Sequence, residues 1–296
     1  MALVIFLIYK CRINPGLTTL GKTFEYMNQQ LNNDAPPSNL DESKWNNSIV
    51  VLFKTHVWND QIESFVKKIK NETIPHHIDF YVLMHSNDYT LLKKINDIDI
   101  KKSVLIFSEK DIKKIYSKGF YDMWLSNHWI LMWFFKQFKS KYQYYWSIEY
   151  DVRISGDSTR IWKYVGTEDF ICPYEPFQNP DWTWKHHYVG GKLDDQTKWY
   201  GYLQLARYSK KFLEYLDKHY LNGENGQDEL ITFSLLKRGE SEIGLIGSNK
   251  LLYEFIHDSW TVDNADSEKH KKMFADSETK PKINTDHLII FHPVKY

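Results

Sequence analysis

Hydrophobic and polar positions along the chain fall into blocks. Ile49-Val50-Val51-Leu52-Phe53 is an unbroken apolar run that stops at Lys54-Thr55-His56. Asp79-Phe80-Tyr81-Val82-Leu83-Met84 stops at His85-Ser86-Asn87-Asp88, and Ser103-Val104-Leu105-Ile106-Phe107 stops at Ser108-Glu109. Tyr144-Tyr145-Trp146-Ser147-Ile148 stops at Glu149-Tyr150-Asp151. Such runs predict strands covered on both faces, as in a parallel sheet. Between the first two, Ile62, Phe65, Val66 and Ile69 recur at helical spacing over 61–70, and another helical turn is predicted at 91–95. Strand, helix, strand, helix, strand predicts an α/β fold: a doubly wound, mostly parallel sheet flanked by helices. Ligands in such folds bind beyond the carboxyl ends of the strands. Each of these four ends is polar.

Farther along, residues 126–142 predict a buried helix, apolar nearly all round and capped by Ser126 or Asn127. A short helix at 158–164, a strand end at 170–172 and a strand at 202–206 follow. The pattern then predicts an amphipathic helix at 209–220, a turn at 223–226, a helix at 227–237 and a strand at 288–291. Residues 173–201 fit neither period, and a loop of that length is usually functional or mobile. Upstream, Leu3–Tyr9 reads as a strand, and residues 14–48 as a polar connecting arm with a short helix at 18–31. The expected division is residues 1–48 as strand and arm, then one domain over 49–296.

Composition narrows the class. Hydrophobic residues at 42% and aromatics at 16% permit a large core and argue against disorder. Lys plus Arg and Asp plus Glu are both 38, so net charge gives no reason to expect nucleic acid or an anionic membrane as partner. Cys11 and Cys172 make neither a disulfide framework nor a four-cysteine zinc site, which fits a reducing, cytoplasmic compartment. The apolar run at 3–9 is far shorter than the roughly 20 residues of a membrane span, so no transmembrane segment is expected. Were that run a truncated signal anchor, the lumen of the secretory pathway would be the setting. Asn46-Asn47-Ser48 and Asn71-Glu72-Thr73 would then be glycosylation sequons. No Gly-x-Gly-x-x-Gly, Walker loop or serine elbow occurs.

The chemistry concentrates at Glu149-x-Asp151. Hard divalent cations such as Mn²⁺ or Mg²⁺ prefer carboxylate oxygens. In a regular strand these two side chains point to opposite faces. They converge only where the strand ends in a turn, which Gly156 permits; two solvated loop acids are the alternative. Gln227-Asp228-Glu229 opens a helix, where acidic residues suit the first turn. The segment Trp182-Thr183-Trp184-Lys185-His186-His187 has three readings: a stacking platform for sugar rings, a transition-metal site lacking an acidic partner, or packing at a sheet edge.

A strand ending in Glu-x-Asp in such a sheet resembles the Asp-x-Asp signature of glycosyltransferases with the GT-A fold. The longer run Glu149-Tyr150-Asp151-Val152-Arg153, with Gly156 behind it, is similar to an uncharacterised glycosyltransferase-like family. The resemblance implies a metal-dependent transfer of sugar from a UDP- or GDP-sugar donor to a glycan or other hydroxyl acceptor. It further implies a nucleotide-binding half over 49–153 and an acceptor half over 154–296. Glu149 replaces the family's first Asp, and Asp151 becomes the chief metal ligand. His292, directly after the strand at 288–291, matches a C-terminal histidine ligand. Asp228 and Glu229 match an acidic pair that meets the acceptor, with Asp228 favoured as base. Arg153 and Lys136 are candidate phosphate partners, and Thr55, His56 and Asn87 candidate nucleoside contacts. The alternatives are a non-catalytic carbohydrate-binding protein and a metal-dependent phosphodiesterase.

Overall fold

The apolar runs become the middle of a seven-stranded sheet. In the computed structural model, β1 (Ile49–Thr55) pairs in parallel with β2 (Asp79–His85) on one side, and β2 pairs in parallel with β3 (Val104–Phe107). On its other side β1 pairs in parallel with β4 (Tyr144–Glu149). Every residue of β1 is buried, as a strand with neighbours on both edges and layers on both faces must be. The model describes residues 49–86, 90–117, 123, 125–139, 141–190, 193–256, 260, 265–279 and 288–296. The strand expected at 3–9, the arm at 14–48 with its helix, and Asn87 lie outside the described residues.

Beyond β4 the chain returns twice. β5 (Arg153–Ser155) leaves the main sheet and forms an antiparallel pair with β11 (Ile289–Phe291). β6 (Phe170–Ile171) and β8 (Leu205–Ser209) rejoin the main sheet, with β8 antiparallel to both β4 and β6. β10 (Gly247–Ser248) closes that edge in parallel with β6. The order is therefore β10-β6-β8-β4-β1-β2-β3, mostly parallel. The two-residue strands β7 (Tyr188–Val189) and β9 (Asn225–Gly226) form a separate antiparallel pair, tying the long 173–201 segment to the chain before residue 227.

Helices cover the sheet. α1 (Asp60–Thr73) buries Ile62, Phe65, Val66 and Ile69, the four residues at helical spacing, and Asn59 caps it by accepting from the Ile62 N–H at 2.9 Å. α2 (Glu109–Ile115) follows β3 with a capping box made by Ser108 and Asp111. α3 (His128–Phe138) is shorter than the predicted 126–142, and its rings Trp129, Phe134 and Phe135 are buried. α4 (Lys210–Leu221) and α5 (Asp228–Ile243) follow β8 and β9. α6 (Ala265–Thr279), which the pattern does not mark, comes before β11. The turn at 91–95 appears as one short turn of helix, Thr90–Lys93.

One predicted strand is displaced. The pattern places it at 202–206, whereas β8 occupies 205–209. The cause is a buried polar residue that periodicity cannot recognise as interior. Arg207 is fully buried and donates to the carbonyls of Tyr164, Gly166 and Glu168 at 2.7–3.0 Å, beneath the Tyr144 ring. The shift leaves Gln204 just before the strand.

Candidate metal centre

The end of β4 is where the chain gathers its acids. In the β1–β4 register Lys54 lies beside Glu149, and in the β4–β8 register Ile148 lies opposite Leu205. Glu149 therefore meets Gln204, whose carbonyl accepts from the Glu149 N–H at 2.8 Å. The strand then breaks. The Val152 N–H donates back to the Glu149 carbonyl at 3.1 Å and closes a turn over Glu149–Val152. This turn, and not Gly156, brings the two acids together. Gly156, with φ +75°, shapes the exit from β5.

The third group arrives from the C-terminal strand. β11 pairs with β5 so that Phe291 faces Arg153, and the Val294 N–H donates to the Asp151 carbonyl at 2.7 Å. His292 is thereby set beside Asp151, with His292 Nε2 3.6 Å from Asp151 Oδ1. Glu149, Asp151 and His292 each offer one ligand atom, and the three atoms lie within 4.8 Å of one another.

The electrostatics match a cation-binding cluster. Asp151 is buried, and its Oδ1 has no hydrogen-bond partner among the described residues. Burial, reinforced by the neighbouring Glu149 carboxylate, raises its pKa to about 7. Lys295 Nζ stands 3.8 Å from Asp151 Oδ2, and the buried Lys54 Nζ stands 3.3 Å from Glu149 Oε1. Asn127, just before α3, donates to the same Glu149 oxygen at 2.7 Å. A buried acceptor atom without a donor costs about 1–3 kcal/mol, more when charged. Two carboxylates and an imidazole suit a hard or borderline divalent ion. The residues fit such an ion.

Asp228 and Glu229 belong to the same electrostatic neighbourhood. Both are buried at the start of α5, and that burial, with a smaller contribution from the Glu149 carboxylate, raises the pKa of each. For Asp228, burial is the largest cause, followed by the Glu229 and Glu149 carboxylates, with Lys54 opposing; the pKa is well above the ordinary range. Burial lifts Glu229 to about 7 against hydrogen bonds from Gln204 and Gln227. Gln227 caps α5 by accepting from the Leu230 N–H, and its amide donates to Glu229 Oε2 at 3.1 Å.

The remaining sequence candidates divide. The His56 ring sits edge-on to Tyr150 at 4.8 Å, and Glu149 and Lys295 both act on its titration. Its pKa is lowered, first by burial and then by His85. The Thr55 hydroxyl is engaged by the backbone of Val57, accepting from its N–H at 3.1 Å and donating to its carbonyl at 2.5 Å. Lys136 pairs with Asp217 on α4 at 2.9 Å. Arg153 donates to the carbonyls of Tyr150 and Val152 at 2.6 and 2.8 Å, with its guanidinium over the Phe65 ring at 4.7 Å. It braces the acid-bearing turn. Trp182 packs with Phe177 and Tyr200, centroids 5.6 and 5.0 Å away, and His186 and His187 join no metal-binding group among the described residues. Sequence reasoning passes over Lys54, Asn127, Gln204, Trp260 and Lys295. Only Lys54, a charge directly after an apolar strand, carries a signal that could have marked it.

No protein-family model matches the chain, and no characterised protein sequence does. Among solved structures it has a weak similarity to a glycosyltransferase involved in the glycosylation of the major capsid of PBCV-1. The TM-score is 0.29 at 12% identity, over 58% of this chain and 64% of that one, less than two thirds of that protein's length. A197 from STIV is similar at TM-score 0.23 and 9% identity, over 56% of this chain and 67% of that one. Among the described residues no helix is long and apolar enough to cross a membrane.

Proposed function

We propose that the chain is a metal-dependent glycosyltransferase with a GT-A-like sheet, moving a sugar from a UDP- or GDP-sugar to a glycan or other hydroxyl acceptor. Residues 49–296 form its catalytic domain, with the donor nucleotide held by 49–153 and the acceptor by 154–296. The observation that carries the reading is the Glu149, Asp151 and His292 cluster, three ligand atoms within 4.8 Å at the carboxyl end of a central strand. The Oδ1 of Asp151, buried without a hydrogen bond among the described residues and 3.6 Å from His292 Nε2, is the strongest single element of it.

Glu149, Asp151 and His292 hold Mn²⁺ or Mg²⁺. When bound, the cation supplies charge neutralisation for the departing nucleoside diphosphate. Asp228 is the base toward the acceptor hydroxyl: a carboxylate whose pKa is raised by burial and by two neighbouring acids takes up a proton more readily than an exposed one. Gln227 and Gln204 fix Glu229 beside it. Lys54, buried against Glu149, offsets part of the acidic charge. His56, whose ring packs edge-on against Tyr150, is kept as a candidate nucleoside contact. Lys136 and Thr55 are left to the scaffold, and Arg153 acts by holding the turn.

A thermal-shift screen of UDP- and GDP-sugars with and without Mn²⁺, followed by donor hydrolysis with the best ligand, tests the reading. Stabilisation by a nucleotide sugar that requires Mn²⁺ supports it. Stabilisation by free glycans alone would instead mark a carbohydrate-binding protein.

A further inference from the structure

Gln204 sits where three parts of the candidate site meet. Its main-chain carbonyl accepts from the Glu149 N–H at 2.8 Å. Its side-chain Nε2 donates to Glu229 Oε1 at 3.0 Å, and its Oε1 accepts from Trp260 Nε1 at 3.0 Å. The Trp260 indole in turn lies nearly parallel to the His292 ring, with centroids 4.9 Å apart and 23° between planes. Gln204, Trp260 and His292 are all buried.

We propose that Gln204 is a positioning residue that holds the His292 ring, through Trp260, and the Glu229 carboxylate in fixed relation to Glu149. The chemistry of its two side-chain partners leaves the amide one orientation. An indole N–H only donates, and a carboxylate only accepts. A flipped amide would set donor against donor and acceptor against acceptor in a buried place, losing both bonds at once. The location follows from the fold: pairing of Ile148 with Leu205 puts residue 204 opposite Glu149 at the mouth of β8. Groups that orient metal ligands typically carry 10–100-fold in affinity or activity when removed.

The inference rests on the reading of Glu149, Asp151 and His292 as a metal centre. Its test is a cycle of Gln204→Leu, Trp260→Phe and the double variant in the full chain, with Mn²⁺ binding measured by calorimetry and folding checked by circular dichroism. Trp260→Phe keeps an aromatic ring at this position and removes the N–H together with part of the ring system. Each single variant is expected to weaken Mn²⁺ about tenfold. The double variant should also lose about tenfold, not a hundredfold, because both changes cut the same link. Should Gln204→Leu not fold, Trp260→Phe carries the test through its own loss. Wild-type chain that binds Mn²⁺ beside single variants that bind it equally well overturns the positioning role alone, as does an additive cycle. Wild-type chain that binds no Mn²⁺ overturns both this role and the metal centre.

Discussion

Asp151→Asn is expected to make the chain more stable when divalent cations are removed. Burial and Glu149 lift the Asp151 carboxyl from 3.8 to about 7. Each pH unit of difference between folded and unfolded chain is ~1.4 kcal/mol, so holding this carboxylate ionised costs up to about 4 kcal/mol. The sign follows from linkage. The unfolded chain releases the proton first as pH rises, so the penalty is absent below about pH 4, grows between pH 4 and 7, and is constant above that. Asparagine keeps the shape and removes the charge. The opposing attraction of Lys295 at 3.8 Å is already contained in that cost. The gain at pH 8 is then at most about 4 kcal/mol, or up to roughly 10 °C in Tm for a chain of this size. Scanning fluorimetry in EDTA from pH 4 to 8 reads it directly. The gain should shrink toward zero near pH 4, and saturating Mn²⁺ should reverse the order of the two proteins at pH 8. An asparagine variant no more stable than wild type at pH 8 in EDTA, or a gain independent of pH, would refute the buried-charge reasoning.

Other substitutions separate scaffold from site. Lys136→Met removes a pair with Asp217 far from the acids and should leave Mn²⁺-dependent nucleotide-sugar binding unchanged by calorimetry, with a Tm loss of a few degrees at most. Ile148→Val, buried near the end of β4, should cost about 1 kcal/mol in urea unfolding and leave cation dependence intact. Glu224 accepts from Tyr188, His219 and Arg238 at 2.6–3.0 Å, and although burial works to raise its pKa, these partners hold it at about 2. Its contribution is fully present above pH 4.5 and is lost as pH falls toward 2. Glu224→Gln should therefore lower stability by about 2 kcal/mol at pH 7, with the gap to wild type closing in acid.

Much of the fold is legible from apolar runs, because β1, β2 and β4 are buried on both faces and their ends fall within a residue of the polar breaks. The candidate cluster is legible in part: Glu149 closes β4 and His292 directly follows β11, while Asp151 lies two residues past the strand end, inside the turn. What periodicity misses is polar and buried. Arg207 inside β8 moves that strand by three residues, and with it moves Gln204 to the mouth of the site. Arg153 carries a charge that suits a phosphate, yet its Nη1 is spent on the turn carbonyls and its guanidinium is buried over Phe65. Which acceptor a cation meets is settled by three-dimensional neighbours, and spacing along the chain is blind to them. α6 is mostly polar and charged, so its sequence carries little of the apolar stripe that would mark a helix. The convergence of Glu149 and Asp151 depends on a turn closed by main-chain atoms, which composition does not record.

In the proposed function, Glu149, Asp151 and His292 bind a divalent cation that the donor nucleotide requires. Calorimetric titration of Mn²⁺ into the chain, followed by UDP- and GDP-sugars, with wild type beside Asp151→Ala, tests it most directly. Wild type should bind Mn²⁺ and then a nucleotide sugar only in its presence, and Asp151→Ala should lose both events. Nucleotide-sugar binding that is equal in EDTA, or Mn²⁺ binding undiminished in Asp151→Ala, would contradict it.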